Sequence, residues 1–485
     1  MISLGFRGIL SSRYVVLCAA FSAIDGMLFG YDQGVVSVIL VMPQFIERFP
    51  EISEAASGGG FYKGLMTMIE LGALLGALNQ GWIADIISRR YSIIVAVIIF
   101  TLGSSLHTAA VDYPMLVAAR FIGGIGIGML SMFVPLYISE ISPPEIRGSL
   151  LVFEGFSIVF GIVISFWITY GTKEIPGNLS WQLPFAIQII SGLLLGLGAF
   201  FFLPFSPRWL PAMGREDEAL AMDIIPESTF QKQVLEERHP EFVTKTRMNI
   251  LKLEIVSWTD YLKHGCWRRT HIGAGLMFFQ QFVGINALIY YPPTLFKTMG
   301  LDYSMQLIMS GVLNITQIIG VISSLWTLDR FGRKSILLWG SIGIFISHFS
   351  ISILVEGWIS VAFLLFYMIS FGASWGPVPW AMPAEIFPSS LRAKGVAIST
   401  CSNWLNNFII GLVTPPLVQD TGFGAYIFFA VFCLGSFVWT YLFVPETNGK
   451  TLERMDKVFK DRGNAEDIEK KEQIFSQIGR RMESR

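Results

Sequence analysis

Uncharged, mostly apolar runs of roughly 20 residues recur along the chain, separated by short polar turns. A run of that length crosses the hydrocarbon of a bilayer as a helix. The pattern predicts twelve such spans. Spans 1 to 6 are expected near 14–42, 61–83, 91–111, 114–138, 149–171 and 183–203, and spans 7 to 12 near 271–297, 304–328, 335–355, 358–382, 395–417 and 424–444. The divisions follow: a polar start (1–13), a first six-span half (14–205), a polar linker with short helical patterns (206–270), a second half (271–445) and a charged tail (446–485). The tail reads as a short helix followed by disorder. The first apolar run leads straight into a full-length span, so no cleaved signal peptide is expected.

Composition supports this reading. The chain of 485 residues is 15% charged, against about 25% in soluble domains. A net charge of -1 carries no information about partners. Its distribution does. Arg89, Arg90, Arg147, the linker, Arg330, Arg333, Lys334, Arg392 and Lys394 fall on one side, and the opposite loops hold few basic residues, such as Arg48, Lys63 and Lys173. The positive-inside rule places that basic side, both termini and the linker in the cytoplasm of a multi-pass cell-membrane protein. Cys18, Cys266, Cys401 and Cys433 have no metal-ligand spacing and read as small buried residues. No nucleophile–base pair, metal cluster or nucleotide loop is evident, so enzymatic, cofactor, metal and nucleic-acid roles are not expected. The run Gly123 to Gly128 mimics a dinucleotide motif, but it lies inside an apolar helix and reads as close helix packing.

The halves repeat. Glu140 to Arg147 follows span 4 and Glu385 to Arg392 follows span 10, each with seven residues from Glu to Arg and a proline three after the Glu. Asp85 with Arg89 follows span 2, as Asp329 with Arg333 follows span 8. Pro204 opens a matched turn after span 6, as Pro445 does after span 12. Duplicated six-span halves are a transporter architecture, with the ligand held near the midplane between them. Charged clusters at equivalent ends can lock one side of such a molecule and release it as it switches.

Polar groups inside the spans narrow the chemistry. Span 7 carries Gln280, Gln281 and Asn286, then Tyr290, Tyr291, Pro292 and Pro293. Amides in hydrocarbon must be paired or line a cavity. Each gives and takes hydrogen bonds, which suits a neutral, hydroxyl-rich ligand. Interhelical bonding by the same amides is an equal reading of this stretch alone. Asp32 in span 1 and Arg120 in span 4 are intramembrane charges. Each costs roughly 2.5–3.5 kcal/mol on insertion scales, which favours their pairing. Asp25 sits seven residues before Asp32 on a similar helix face. Glu70 and Glu154 are further acids without an assigned role, and His107 reads as structural.

The chain resembles the sugar porters of the major facilitator superfamily over nearly its whole length. The resemblance rests on Gly30 to Gly34 (GYDQG), Arg120 to Gly124, Glu140 to Arg147, Pro204 to Leu210, Gln280 with Gln281 and Asn286, Asp329 to Lys334, Gly376 to Trp380, Glu385 with Arg392, and Pro445 to Gly449. The wording is most similar to fungal monosaccharide and polyol transporters. The resemblance implies an all-α fold of twelve transmembrane helices in two six-helix halves, with a small cytoplasmic helical domain from the linker. It implies alternating access by a lipid-embedded carrier of a small neutral sugar or polyol. It assigns sugar contacts to Gln280, Gln281, Asn286, Asn314 and Trp380, with Phe29, Asn403 and Trp404 matched by position. It makes Asp32 with Arg120 a proton-coupling pair, the acid accompanying symport in this family, although some facilitators keep it. A proton-independent facilitator and a non-transporting sugar receptor remain alternatives. It makes Glu140, Arg147, Glu385, Arg392, Asp85, Arg89, Asp329 and Arg333 a cytoplasmic gate. The chain departs from the pattern in span 5, where Gly155 stands at a sugar-binding glutamine and Glu154 precedes it. It departs again at Ile86, Ser88 and Phe205.

Overall fold

The computed structural model describes residues 24–53, 56, 58–141, 147–201, 267–354, 357–388, 391–447, 452–459 and 469. The expected linker domain and most of the tail therefore lie outside the described residues, as does the beginning of span 1. Among the described residues every regular element is helical. Eleven helices are long and apolar enough to cross a membrane. Ile24–Ile39 is the described part of span 1, which completes twelve in two six-helix halves.

The packing repeats with the sequence. Span 1 lies on span 5, span 2 on span 4, and span 3 on spans 4 and 6. The second half follows suit, with 7 on 11, 8 on 10, and 9 on 10 and 12. The halves meet through span 2 against span 11 and span 5 against span 8, a reciprocal pair that an approximate twofold exchanges. Glycine sets how near the helices come. A Cβ on Gly30 would lie 1.8 Å from the Ile158 carbonyl oxygen, and one on Gly128 would lie 1.9 Å from that of Ala73. The span 4 glycine run is thus a packing surface, as small residues in membrane interfaces are.

Breaks in the helices are matched by side-chain donors, because lipid offers none. Span 7 is three pieces, Trp267–Phe282, Ile285–Tyr290 and Pro292–Thr298. Gly284 turns the first break at φ 97°, a left-handed conformation that glycine adopts without steric cost. The freed Val283 carbonyl accepts from Tyr367 Oη at 2.9 Å and bonds His348 Nε2 at 3.0 Å. In span 11 (Arg392–Thr421), Pro415 cannot donate to Gly411 four residues back. Tyr291 Oη donates to that carbonyl instead, at 2.9 Å. Span 6 repeats the device: Pro184 leaves the Ser180 carbonyl free, and Thr172 Oγ1 donates to it at 2.8 Å. Span 2 divides between Gly59–Leu65 and Met68–Ile87, and span 10 between Trp358–Ala373 and Val378–Ile386.

Candidate functional site

A cavity of about 160 Å³ lies between the halves. Spans 1 and 5 form one wall, with Asp25, Phe29, Gln33, Glu154 and Gly155. Spans 7, 8, 10 and 11 form the other, with Gln280, Gln281, Asn286, Gln317, Trp380, Asn403 and Asn407. The breaks described above create this wall. A continuous helix hides its backbone, whereas the interrupted spans 7 and 10 bend their amides and Trp380 toward the space.

The amides divide by duty. Gln280 is spent on the protein: Nε2 donates to the carbonyls of Trp375 (2.9 Å) and Gly376 (3.1 Å), and Oε1 accepts from Asn403 Nδ2 at 2.7 Å. It thereby satisfies the carbonyls exposed by the break in span 10. Gln281 accepts from Asn286 Nδ2 through Oε1. Its Nε2 has no hydrogen bond among the described residues, although Gln281 lines the cavity. Gln280 thus has an interhelical role, while the amide nitrogen of its neighbour Gln281 is left available at the cavity.

Other expected contacts sort in the same way. Phe29 and Trp380 line the cavity, Trp380 being half-buried there. Trp404 stands behind Phe29, edge-on at 5.0 Å between centroids, and donates Nε1 to Ser131 Oγ at 3.2 Å. It braces span 11 on span 4 rather than facing the space. Asn314 is fully buried in span 8 and does not line the cavity. Gln317, one turn further on, does. The sequence reading passed over Gln33, Gln317 and Asn407, although each sits one to four residues from a position it named.

Asp32 and Arg120 pair as expected. Arg120 donates Nη2 to Asp32 Oδ2 at 3.0 Å and Nη1 to Oδ1 at 3.3 Å. Its Nε donates to the Met66 carbonyl at 2.6 Å, at the break in span 2. Both residues are buried, so the two-pronged geometry and the third bond are what make the burial tolerable. Gln33, beside Asp32, extends the network into the cavity wall. Gln33 Nε2 (3.0 Å) and Asn407 Nδ2 (3.4 Å) donate to Tyr290 Oη, which donates to Glu70 Oε1. One tyrosine hydroxyl thus ties spans 1, 2, 7 and 11 together. Tyr290→Phe leaves those three polar groups unpartnered, each costing about 1–3 kcal/mol when buried. Labelling of Asn407→Cys by a thiol reagent is expected to quicken at least about tenfold when Tyr290→Phe is added to it; an unchanged rate would show that the hydroxyl is not what holds these four spans together.

The charged ends are partly described. Arg333 Nη2 pairs with Glu385 Oε1 at 2.8 Å, and Thr447 Oγ1 donates to Glu385 Oε2 at 2.9 Å. Glu446 accepts from the backbone N–H groups of Arg333 (2.9 Å) and Lys334 (3.1 Å), at the start of span 9. Anions are favoured at such a helix start. This cluster joins elements of the second half. Arg392 lines the cavity. The side chains of Asp85, Arg89, Glu140, Arg147 and Asp329 lie outside the described residues.

A sequence profile described as Sugar (and other) transporter matches residues 16–459. Probable metabolite transport protein CsbC of Bacillus subtilis is 33% identical over 456 residues, spanning 91% of this chain and 94% of that one. The D-xylose-proton symporter of Escherichia coli K12 is 29% identical over 497 residues, spanning 93% and 96%. The solved structure of the proton:xylose symporter XylE bound to 6-bromo-6-deoxy-D-glucose superposes with a TM-score of 0.74 at 27% identity, covering 92% of this chain and 99% of that one. With the profile spanning both halves and the repeated fold carrying it, the chain belongs to the sugar (and other) transporter family, among the sugar porters of the major facilitator superfamily, and is a membrane transporter rather than an enzyme.

Proposed function

We propose that the protein carries a monosaccharide, a hexose or pentose, or a related polyol across a cell membrane by alternating access, in symport with protons. The observation that carries this reading is the position of an amide-lined cavity between the halves, one residue away from a buried acid–arginine pair. Gln281, Asn286, Gln317, Asn403 and Asn407 read ligand hydroxyls, and Trp380 and Phe29 pack on C–H faces. Gln280 holds the break that presents them. Asp32 takes the proton. Once neutral, it no longer forms an ion pair with Arg120, and only hydrogen bonding from the still-charged guanidinium remains. The positive-inside rule puts the Arg333–Glu385 end, the termini and the 206–270 linker in the cytoplasm. On this reading the cavity faces the cytoplasm, the Tyr290 network closes the outer side, and the Glu385–Arg392 and Arg333 cluster belongs to the inner gate with its first-half counterparts.

Liposomes containing the purified protein provide the test. An imposed pH gradient is expected to drive uptake of labelled xylose or glucose, and uptake unchanged by collapsing that gradient would refute symport. Binding without any flux would point to a receptor. Within the site, Gln281→Ala is expected to weaken sugar affinity about tenfold, the loss of one good hydrogen bond to a ligand, with a smaller loss of thermal stability than Gln280→Ala because only the Asn286 amide loses its partner. Gln280→Ala is expected to lower thermal stability as well, because two buried carbonyls lose their donor. Titration calorimetry beside thermal melting separates the two, and equal behaviour of both variants would overturn the division of duty.

A further inference from the structure

The wall made by spans 1 and 5 carries two acids that the proton-coupling pair does not use. Asp25 and Glu154 both line the cavity and both are buried, at 2% and 7% exposure. Their helices touch closely there: a Cβ on Gly26 would lie 3.0 Å from the Glu154 carbonyl oxygen. Neither carboxylate forms an ion pair or side-chain hydrogen bond with a described residue. Asp32, by contrast, has Arg120.

The rest of the cavity does not supply what these acids lack. Gln317 Oε1 and Asn407 Oδ1 are cavity-lining acceptors, on residues 5% and 1% exposed, and both are without a hydrogen-bond partner among the described residues. Gln317 comes from span 8, in the other half, so its orphaned oxygen is independent of the acidic wall. Against these acceptors stand the Gln281 and Gln317 amide nitrogens, the Trp380 indole and the Thr400 hydroxyl as donors, all of them neutral. Arg392 also lines the cavity and has interactions of its own. Beside Glu154, a Cβ on Gly155 would meet nothing within 4 Å, which leaves room for a substituent against that acid.

A neutral sugar fits this inventory poorly. Its hydroxyls can donate to a carboxyl group, but they bring no countercharge, so both buried acids would have to stay protonated. An ammonium group supplies three donors and a positive charge together. We propose that the Asp25–Glu154 wall is a subsite for a protonated amine, so that the favoured ligand is an amino sugar or an amine-bearing polyol. This rests on the carbohydrate reading above and specifies its substrate class.

The test uses the full-length protein in nanodiscs, with D-glucosamine and D-glucose titrated calorimetrically at about pH 6, where an aliphatic amine is protonated. Glucosamine is expected to bind at least about tenfold more tightly than glucose. Asp25→Asn and Glu154→Gln are each expected to reduce that ratio to about one. Equal affinities in the unaltered protein would sink the proposal and leave the carbohydrate reading standing. A preference that survives in the doubly substituted protein would also sink it, by placing the amine elsewhere. Binding of neither hexose would defeat the carbohydrate reading, and the amine subsite with it. The comparison within the unaltered protein is decisive even if a variant fails to fold.

Discussion

Asp32→Asn is expected to abolish uphill uptake while leaving sugar exchange close to the unaltered rate. The substitution keeps the shape and keeps one acceptor for Arg120, so one of the two contacts now at 3.0 and 3.3 Å can persist. It removes the one property that symport demands, a carboxylate that alternates between charged and neutral. Asp32 lies behind the cavity wall and does not line it, so ligand affinity is expected to change less than about threefold. In liposomes, accumulation driven by an imposed pH gradient should fall to the equilibrium level. Counterflow of labelled against unlabelled sugar should persist. Retained accumulation would remove the proton role from Asp32, and lost binding would place it in the ligand site. Arg120→Leu is predicted to act differently. It strands a buried carboxylate and the Met66 carbonyl together, and breaking one side of a buried pair costs about 3–5 kcal/mol. Stability, more than coupling, should report that change.

Gly30→Ala is expected to lower the melting temperature sharply, whereas Gly155→Ala is expected to leave it almost unchanged. The two glycines lie in facing spans and differ only in their surroundings. The added methyl on Gly30 would meet the Ile158 carbonyl oxygen at 1.8 Å, its carbon at 2.7 Å and its Cα at 3.1 Å. These are backbone atoms of a helix and cannot rotate away. Span 5 would have to withdraw, carrying Glu154 and the cavity wall with it. Overpacking in a close-packed interior costs typically about 1–3 kcal/mol, and a rigid neighbour places this case at or above the upper end. The methyl on Gly155 meets open space. Thermal unfolding followed by size-exclusion chromatography would decide it, and similar melting of the two variants would contradict the close approach of spans 1 and 5.

Much of the fold is legible in the sequence because a bilayer leaves few solutions. Length and apolarity alone predict the spans, and the observed helices differ from the expected bounds by a few residues at most described ends. The repeated Glu-to-Arg spacing anticipates the duplicated packing. The site is less legible, for reasons of geometry. Gln280 and Gln281 are adjacent, so they point about 100° apart around a helix, and no composition argument separates the one that serves the backbone from the one left available at the cavity. Asn314 and Gln317 are equally plausible amides one turn apart, and only the rotation of span 8 chooses Gln317 for the cavity. The Tyr290 network joins residues up to 257 apart in sequence. Glu70, read alone as an acid of uncertain role, gains one from that hydroxyl. The matching of Pro415 by Tyr291, and of Pro184 by Thr172, has no signature in the chain at all. It becomes visible once two helices lie side by side.

The bond from Arg120 to the Met66 carbonyl makes the arginine a fixture of its own half-site. Span 2 is interrupted there, so its carbonyl stays available whatever happens to Asp32. When the carboxylate is neutralised, the guanidinium keeps an anchor on spans 2 and 4. The slack created by the proton therefore falls to the acid's side. Span 1, which carries Asp32, Gln33 and the glycines that seat it on span 5, becomes the part that is released. On the proposed proton role, a chemical event on a single oxygen would in this way be directed into the displacement of one particular helix, with the interrupted backbone of its neighbour as the fixed point.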